Sequence, residues 1–236
     1  METDNFNSMS IGEMVAIDFR TASVFKNNKI DFCCGGKKTL EATCLELGID
    51  QQNVELELQA VSATSPSQGL DYRSWRPGFL CDYITNTHHQ YVRNTLPDLL
   101  IYTQKIATVH GSHHPELVEV ASLFAQINDE LLQHLKNEEE VLFPAIKHAV
   151  AHDDSESKQL IVSEINRMVG EHEFAGGAMD RINQITDHYK LPEGSCGTYQ
   201  VAFRLLEQFE DDLHIHVHLE NNILYPAALK LNNYPK

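Results

Sequence analysis

The sequence predicts an all-α protein, an up-down-up-down four-helix bundle preceded by a small helical N-terminal domain. Three observations predict it. Four long stretches repeat apolar residues in steps of three and four, the spacing that lines one face of a 3.6-residue helix. Short connections such as HGSHHP and KLPEGSCG join them, which favours antiparallel neighbours. Ahead of the first stretch, VSATSPSQGLDYRSW has the Ser, Pro and Gly content of a linker and no helical period. The expected organisation is therefore an N-terminal domain over residues 1–60, a linker over 61–75 and the bundle over 76–236.

Within the N-terminal domain, Ile11, Met14 and Val15, then Leu40, Cys44 and Leu47, then Val54 and Leu58 read as short helices. Between them lies Asp31-Phe32-Cys33-Cys34-Gly35-Gly36, whose glycines mark a turn before a helix expected near Lys38. Beyond the linker the helices are expected at about Pro77–Thr108, Pro115–Ala151, Ser157–Tyr189 and Gly197–Leu231.

Composition narrows the function. With 18 basic against 34 acidic residues and a net charge of -16, the chain lacks the Lys and Arg clusters that phosphate contacts need, so no nucleic-acid partner is expected. No apolar run approaches the ~18 residues of a membrane span. METDNFNSMS has neither the basic start nor the apolar core of a secretory signal, so a cytoplasmic protein is expected. Five cysteines, an odd number at irregular spacing, do not form a disulfide framework and are expected to be reduced. Thirteen histidines in an acidic chain raise the prospect of metal ligands.

Position decides which ones. The second bundle helix carries Val120, Phe124, Ile127, Leu131, His134, Glu138, Val141 and Ala145 on one stripe. The fourth carries Ala202, Leu206, Phe209, Leu213, His216, Glu220, Ile223 and Ala227 with identical steps, offset by 82 residues. HLKNEEEVLFP and HVHLENNILYP continue the repeat through Leu-aromatic-Pro. Residues four apart stack on one helix face, so each pair aims an imidazole and a carboxylate into the core. A single His-x-x-x-Glu on a helix is more often a surface ion pair. Two buried glutamates in one bundle, however, call for cations to neutralise them.

The third helix places His172 in the stripe Ile161, Ile165, Met168, Ala175, Met179 and Ile182, and the first places His89 in a stripe with Val92, Leu96 and Leu99. His88 stands beside it and leaves the first-helix ligand open to either residue. His110 is roughly 30 Å further along the same helix and is expected outside the site. Imidazole and carboxylate suit Fe, Mn or Zn. Two bridging carboxylates and two histidines per metal leave open coordination positions, which fits redox iron better than a closed structural zinc site.

These motifs resemble the Repair of Iron Centers family, iron-sulfur cluster repair di-iron proteins whose larger part is hemerythrin-like. The resemblance rests on DFCCGG, His89 followed by Leu96-Pro97, His134-x-x-x-Glu138 with Leu142-Phe143-Pro144, Glu171-His172-Glu173, and His216-x-x-x-Glu220-Asn221-Asn222. It spans nearly the whole chain. It implies a non-haem di-iron centre, oxo- or hydroxo-bridged, with His89, His134, His172 and His216 as ligands and Glu138 and Glu220 as bridges. It also implies a cytoplasmic role in restoring iron-sulfur clusters damaged by nitric oxide or peroxide, with the damaged cluster proteins as partners. Fewer histidines than in oxygen-carrying hemerythrins imply iron held loosely enough to be given up. The alternatives are a di-iron oxidoreductase acting on nitric oxide or peroxide, and an oxygen or nitric oxide sensor.

The adjacent pair Cys33-Cys34 is too close for an ordinary disulfide. Taken alone, it reads as one core and one exposed thiol; at the start of the following helix, beside Lys37 and Lys38, it would favour thiolate. The resemblance favours a thiol role in handling iron or nitric oxide. The pair would meet the di-iron site within one chain or across a homodimer. Glu139 and Glu140 are expected on the outward acidic face, and the remaining histidines, His214 and His218 among them, mostly in solvent.

Overall fold

A computed structural model describes residues 9–63, 71–152 and 155–231. It is all-α among the described residues, and no helix there is long and apolar enough to cross a membrane. The chain divides into two compact units, one of residues 81–216 and one of residues 1–80 with 217–236.

The unit of residues 81–216 is the body of the four-helix bundle. Its first helix starts at α5 (Pro77–Ile84), passes through a π-turn at Thr85–His89 and continues as α6 (Gln90–His110). The second is α7 (Glu116–Asn137), a π-turn at Glu138–Leu142 and α8 (Phe143–His152). The third is α9 (Ser155–Ile185) and the fourth is α10 (Gly197–Leu219). The stripes meet in a core containing Val92, Leu96, Leu99, Val120, Phe124, Ile127, Ile165, Met168, Leu206 and Phe209.

Helix α9 stops at Ile185 rather than at Tyr189. Asp187, His188 and Tyr189 all take left-handed φ values, 50°, 62° and 56°, which an α-helix of L-residues does not accommodate. Thr186 holds the stop in place: its hydroxyl donates to the Ile182 carbonyl and accepts from the Tyr189 N–H.

The other unit contains α1 (Ile11–Ile17), α2 (Thr21–Asn27), α3 (Leu40–Leu47) and α4 (Gln51–Ala63). It also contains a 3-10 turn at Tyr72–Ser74 and the last turns of the chain, a π-turn at Glu220–Leu224 and α11 (Tyr225–Lys230). Helicity thus runs three residues past Ala60 into the segment read as linker, because Val54 and Leu58 anchor α4 in the core. Much of the rest of that segment, residues 64–70, lies outside the described residues.

Ser10 and Glu13 cap α1 reciprocally, the Ser10 N–H reaching Glu13 Oε2 at 2.9 Å and the Glu13 N–H reaching Ser10 Oγ at 3.3 Å. Helix α3 begins at Leu40 behind its cap Thr39, later than expected near Lys38. The DFCCGG loop is built on Asp31, whose Oδ1 accepts the N–H groups of Cys33 and Cys34 and whose Oδ2 accepts that of Gly35. Gly36 passes close to Gly12, whose N–H donates to its carbonyl at 2.7 Å. A Cβ on Gly36 would stand 2.5 Å from the Phe32 carbonyl oxygen and 3.1 Å from Asn222 Oδ1.

Candidate metal centre

The histidines and glutamates of the stripes converge. Ligand atoms of His89, Glu138, His216 and Glu220 lie within 4.8 Å of one another, and so do those of His134, Glu138, His172 and Glu220. Both glutamates belong to both sets. All six side chains are buried, with Glu138, Glu220, His89 and His216 at 0% exposure.

Interatomic distances within the sets show how closely the donors face each other. Glu138 Oε2 is 3.2 Å from His89 Nε2 and 3.3 Å from His134 Nε2. The Nε2 atoms of His134 and His172 are 3.1 Å apart. A carboxylate and three imidazoles turned inward in this way, in a core with no exposure, have the donor chemistry of a cation site.

Three π-turns, at Thr85–His89, Glu138–Leu142 and Glu220–Leu224, occur at the site positions. Phe143 N–H bonds to the Glu138 carbonyl and Tyr225 N–H to that of Glu220, five residues back in each case. Such single-turn insertions gather at functional sites. The extra residue rotates everything downstream. In the second helix burial passes from the expected Val141 to Leu142, at 0%, while Ala145 is buried as expected and Ile146 joins it at 0%. In the fourth it passes from Ala227 to Ala228.

Each of two imidazoles is held from behind by a carboxylate that the stripe pattern did not single out. His89 Nδ1 donates to Glu139 Oε1 at 2.7 Å, and Arg93 meets the same oxygen at 2.8 Å. His134 Nδ1 donates to Glu171 Oε2 at 2.7 Å. The expectation that Glu139 belongs to the outward face is corrected here; Glu139 is half-buried because His89 and Arg93 draw it inward. Burial raises its carboxyl, but hydrogen bonds from Arg93 and His89 outweigh that and hold it below its usual range. The hydrogen bond from His134 does the same for Glu171, against burial. Adjacency to Glu138 was the only sequence signal for Glu139, whereas Glu171 stood in the Glu171-His172-Glu173 motif without an assigned role.

His88 is buried as well but turns elsewhere, its Nδ1 2.9 Å from Asp212 Oδ1 and its ring stacked on His216 at 5.6 Å. Of the two neighbours, His89 is the one that meets Glu138. His110 sits at the far end of α6, with Nε2 3.2 Å from Cys196 Sγ. His218, expected in solvent, has 0% exposure. Its ring packs edge-on against Phe32 at 5.7 Å, Nδ1 lies 3.1 Å from Asn222 Nδ2, and burial pushes its pKa down to about 4.

Cys33 and Cys34 form no disulfide, and their Sγ atoms are 3.6 Å apart. Cys33 is buried and Cys34 half-buried. The expectation of thiolate character fails for Cys33. Its thiol is pushed well above the usual range by the hydrogen bond with Cys34, by burial and by the charge of Asp31, and α3 begins only at Leu40, behind its cap Thr39. Asn222 Nδ2 ties this loop to the turn after Glu220, donating toward the carbonyls of Phe32 at 3.2 Å and Cys33 at 3.3 Å.

Comparison with known proteins agrees with this geometry. The family model described as Hemerythrin HHE cation binding domain matches residues 83–228. That of ScdA_N, a domain of unknown function (DUF542), matches residues 7–62. The iron-sulfur cluster repair protein YtfE of Yersinia pestis (strain Pestoides F) is 31% identical over 226 residues, covering 96% of this chain and 99% of the relative. The protein of the same name from Yersinia pseudotuberculosis serotype O:1b (strain IP 31758) matches with the same identity and coverage. The chain belongs to the YtfE family of iron-sulfur cluster repair proteins, the Repair of Iron Centers family its motifs resemble, with a hemerythrin HHE cation binding domain behind an ScdA_N domain.

Proposed function

We propose that the six core residues hold a carboxylate-bridged di-iron centre, and that the protein supplies iron from it to iron-sulfur clusters under repair. The observation that carries this reading is the sharing of Glu138 and Glu220 between two four-residue sets. His89 and His216 would serve one iron, His134 and His172 the other, and each glutamate would give one oxygen to each. Four protein ligands per metal leave coordination positions open, and imidazole with carboxylate suits iron.

Two irons there would supply an exchangeable, redox-active cation pair. The chain's own residues set how it is held. Glu139 and Glu171 fix the Nδ1–H tautomers of His89 and His134, which keeps the Nε2 lone pairs facing inward. The aliphatic and aromatic core around the six residues excludes water and strengthens each electrostatic contact. Cys34, with Cys33 behind it, is the thiol we assign to handling iron or nitric oxide, and the damaged cluster proteins of the cytoplasm are the partners.

The test is iron analysis with Mössbauer spectroscopy after anaerobic reconstitution, followed by titration with an apo iron-sulfur enzyme. Two irons per chain in a coupled pair, passed stoichiometrically to the apo enzyme, are expected. One iron or none would overturn the centre. Sustained turnover of nitric oxide or peroxide with an electron donor, without iron transfer, would make the protein an oxidoreductase instead.

A further inference from the structure

A cleft of about 580 Å³ opens within the unit of residues 1–80 and 217–236, inside the size range of small-molecule sites. Its walls come from α1, the loop before α3 at Lys37, the Tyr72–Ser74 turn with the start of α5, and the chain from Asn221 to Lys230. Three cations line it, Lys37, Arg73 and Lys230, each from a different element and each exposed. None has an ion-pair partner among the described residues.

Acids outnumber bases by 34 to 18 in this chain. Several other cations are taken up in pairs, among them Arg20 with Asp18, Lys38 with Glu46, Lys147 with Asp82 and Arg181 with Glu119. The one carboxylate among the described lining residues, Glu13, is already engaged. Its Oε2 accepts the Ser10 N–H at 2.9 Å and the Ser10 hydroxyl at 3.0 Å as part of the α1 cap. Arg73 and Lys230 both help to hold Glu13 ionised, behind the larger effect of the Ser10 hydrogen bonds. Three cations against one anion leave a local excess of two positive charges in a protein of net charge -16. The remaining surface is substantially carbon, supplied by Trp75, Pro77, Ile223 and Pro226.

We propose that this cleft binds a small organic polycarboxylate. Charge selects an anion with more than one negative group, and the apolar wall selects one with a carbon frame over an inorganic ion, whose hydration that wall cannot replace. The bound molecule would touch Asn222, which also donates to the carbonyls of Phe32 and Cys33. An occupant would thus press on the residue that links the Cys33-Cys34 loop to the turn begun by Glu220.

Trp75 is the single tryptophan of the chain, so intrinsic fluorescence reads the cleft directly. The experiment titrates the iron-loaded full chain with propane-1,2,3-tricarboxylate, a weak iron chelator that does not absorb in the indole band. A saturable change at one site per chain is expected, weakened at least tenfold by the double substitution Arg73→Gln with Lys230→Gln. Lys105→Gln, at an exposed lysine on α6, should leave it unchanged. The proposal is overturned by the absence of a saturable change, by equal affinity in the double variant, or by pyrophosphate binding as tightly as the tricarboxylate. Circular dichroism of the double variant establishes that it is folded, so that lost binding reports the cleft.

Discussion

His89 Nδ1 lies 2.7 Å from Glu139 Oε1, so the residue next in sequence to a core glutamate grips the imidazole that faces that glutamate. Carboxylates in this position commonly change metal affinity by about 10- to 100-fold when removed. Glu139→Gln keeps the size of the side chain and loses its charge. It is expected to weaken iron binding by that order in a chelator competition, whereas the exposed neighbour Glu140→Gln should match the parent. Parent-like affinity in Glu139→Gln would remove Glu139 from any positioning role.

Glu138 and Glu220 stand in both four-residue sets. Replacing either with alanine is therefore expected to lower iron to one per chain or less, and His172→Ala should affect chiefly one of the two irons. Metal analysis with Mössbauer spectra of the three variants checks this. Two irons retained in Glu138→Ala would contradict the bridging assignment.

Glu210 gives a pH dependence separate from the metal. Burial pushes its carboxyl up to about 7 from 4.5, against hydrogen bonds from Asn183 and Tyr189. The folded chain keeps this proton over a range in which the unfolded chain has released it. Its contribution to stability accordingly falls as pH rises from about 4.5 to 7 and levels off above that. At ~1.4 kcal/mol per pKa unit the loss is up to roughly 3 kcal/mol. The difference in melting temperature between the parent and Glu210→Gln, followed from pH 5 to 8, should grow in favour of the variant across that window. A constant difference would show that Glu210 titrates normally.

The cysteines of the DFCCGG loop should react in order. Cys34 is half-buried and Cys33 is buried with its thiol pushed up, so iodoacetamide at pH 7.5 is expected to label Cys34 well before Cys33. Peptide mass spectrometry over a time course measures the order. Faster labelling at Cys33 would show that the loop opens in solution.

Gly36→Ala should be costly because the new methyl group meets the Phe32 carbonyl oxygen, a backbone atom with little room to move. A destabilisation of about 1 to 3 kcal/mol is expected, read from Trp75 fluorescence in urea. Gly170→Ala, where a Cβ meets nothing within 4 Å, is the control and should be neutral or slightly stabilising.

The bundle and the six core residues were legible because burial imposes a period on a helix, and a polar residue on that period has few explanations. His134 and His216 show this best, since the same break in the stripe appears twice. Local insertions were not legible. Nothing in NEEEVLF announces a π-turn, so Val141 took the place that Leu142 occupies. The carboxylates behind the imidazoles were hidden for a related reason. Glu139 and Glu171 sit off the stripe, and their partners are on other helices, 50 and 37 residues away in sequence. The end of α9 was missed because three left-handed residues without a glycine, Asp187, His188 and Tyr189, carry no compositional mark.

The π-turns also separate what packing needs from what the site has. Each adds one residue to a helix that would otherwise run evenly, and in an α-helix one residue is about 100° of rotation. Deleting a single residue between Glu138 and Leu142 would let an unbroken α-helix form, with Leu142 and Ile146 moving back onto the positions where an even stripe expects buried residues. The core on both sides of such a deletion would stay in phase, so packing alone does not require the extra residue. What the insertion changes is local, a turn widened at Glu138 and again at Glu220, and relatives with a one-residue gap there would keep the bundle and all six residues while losing that widened turn.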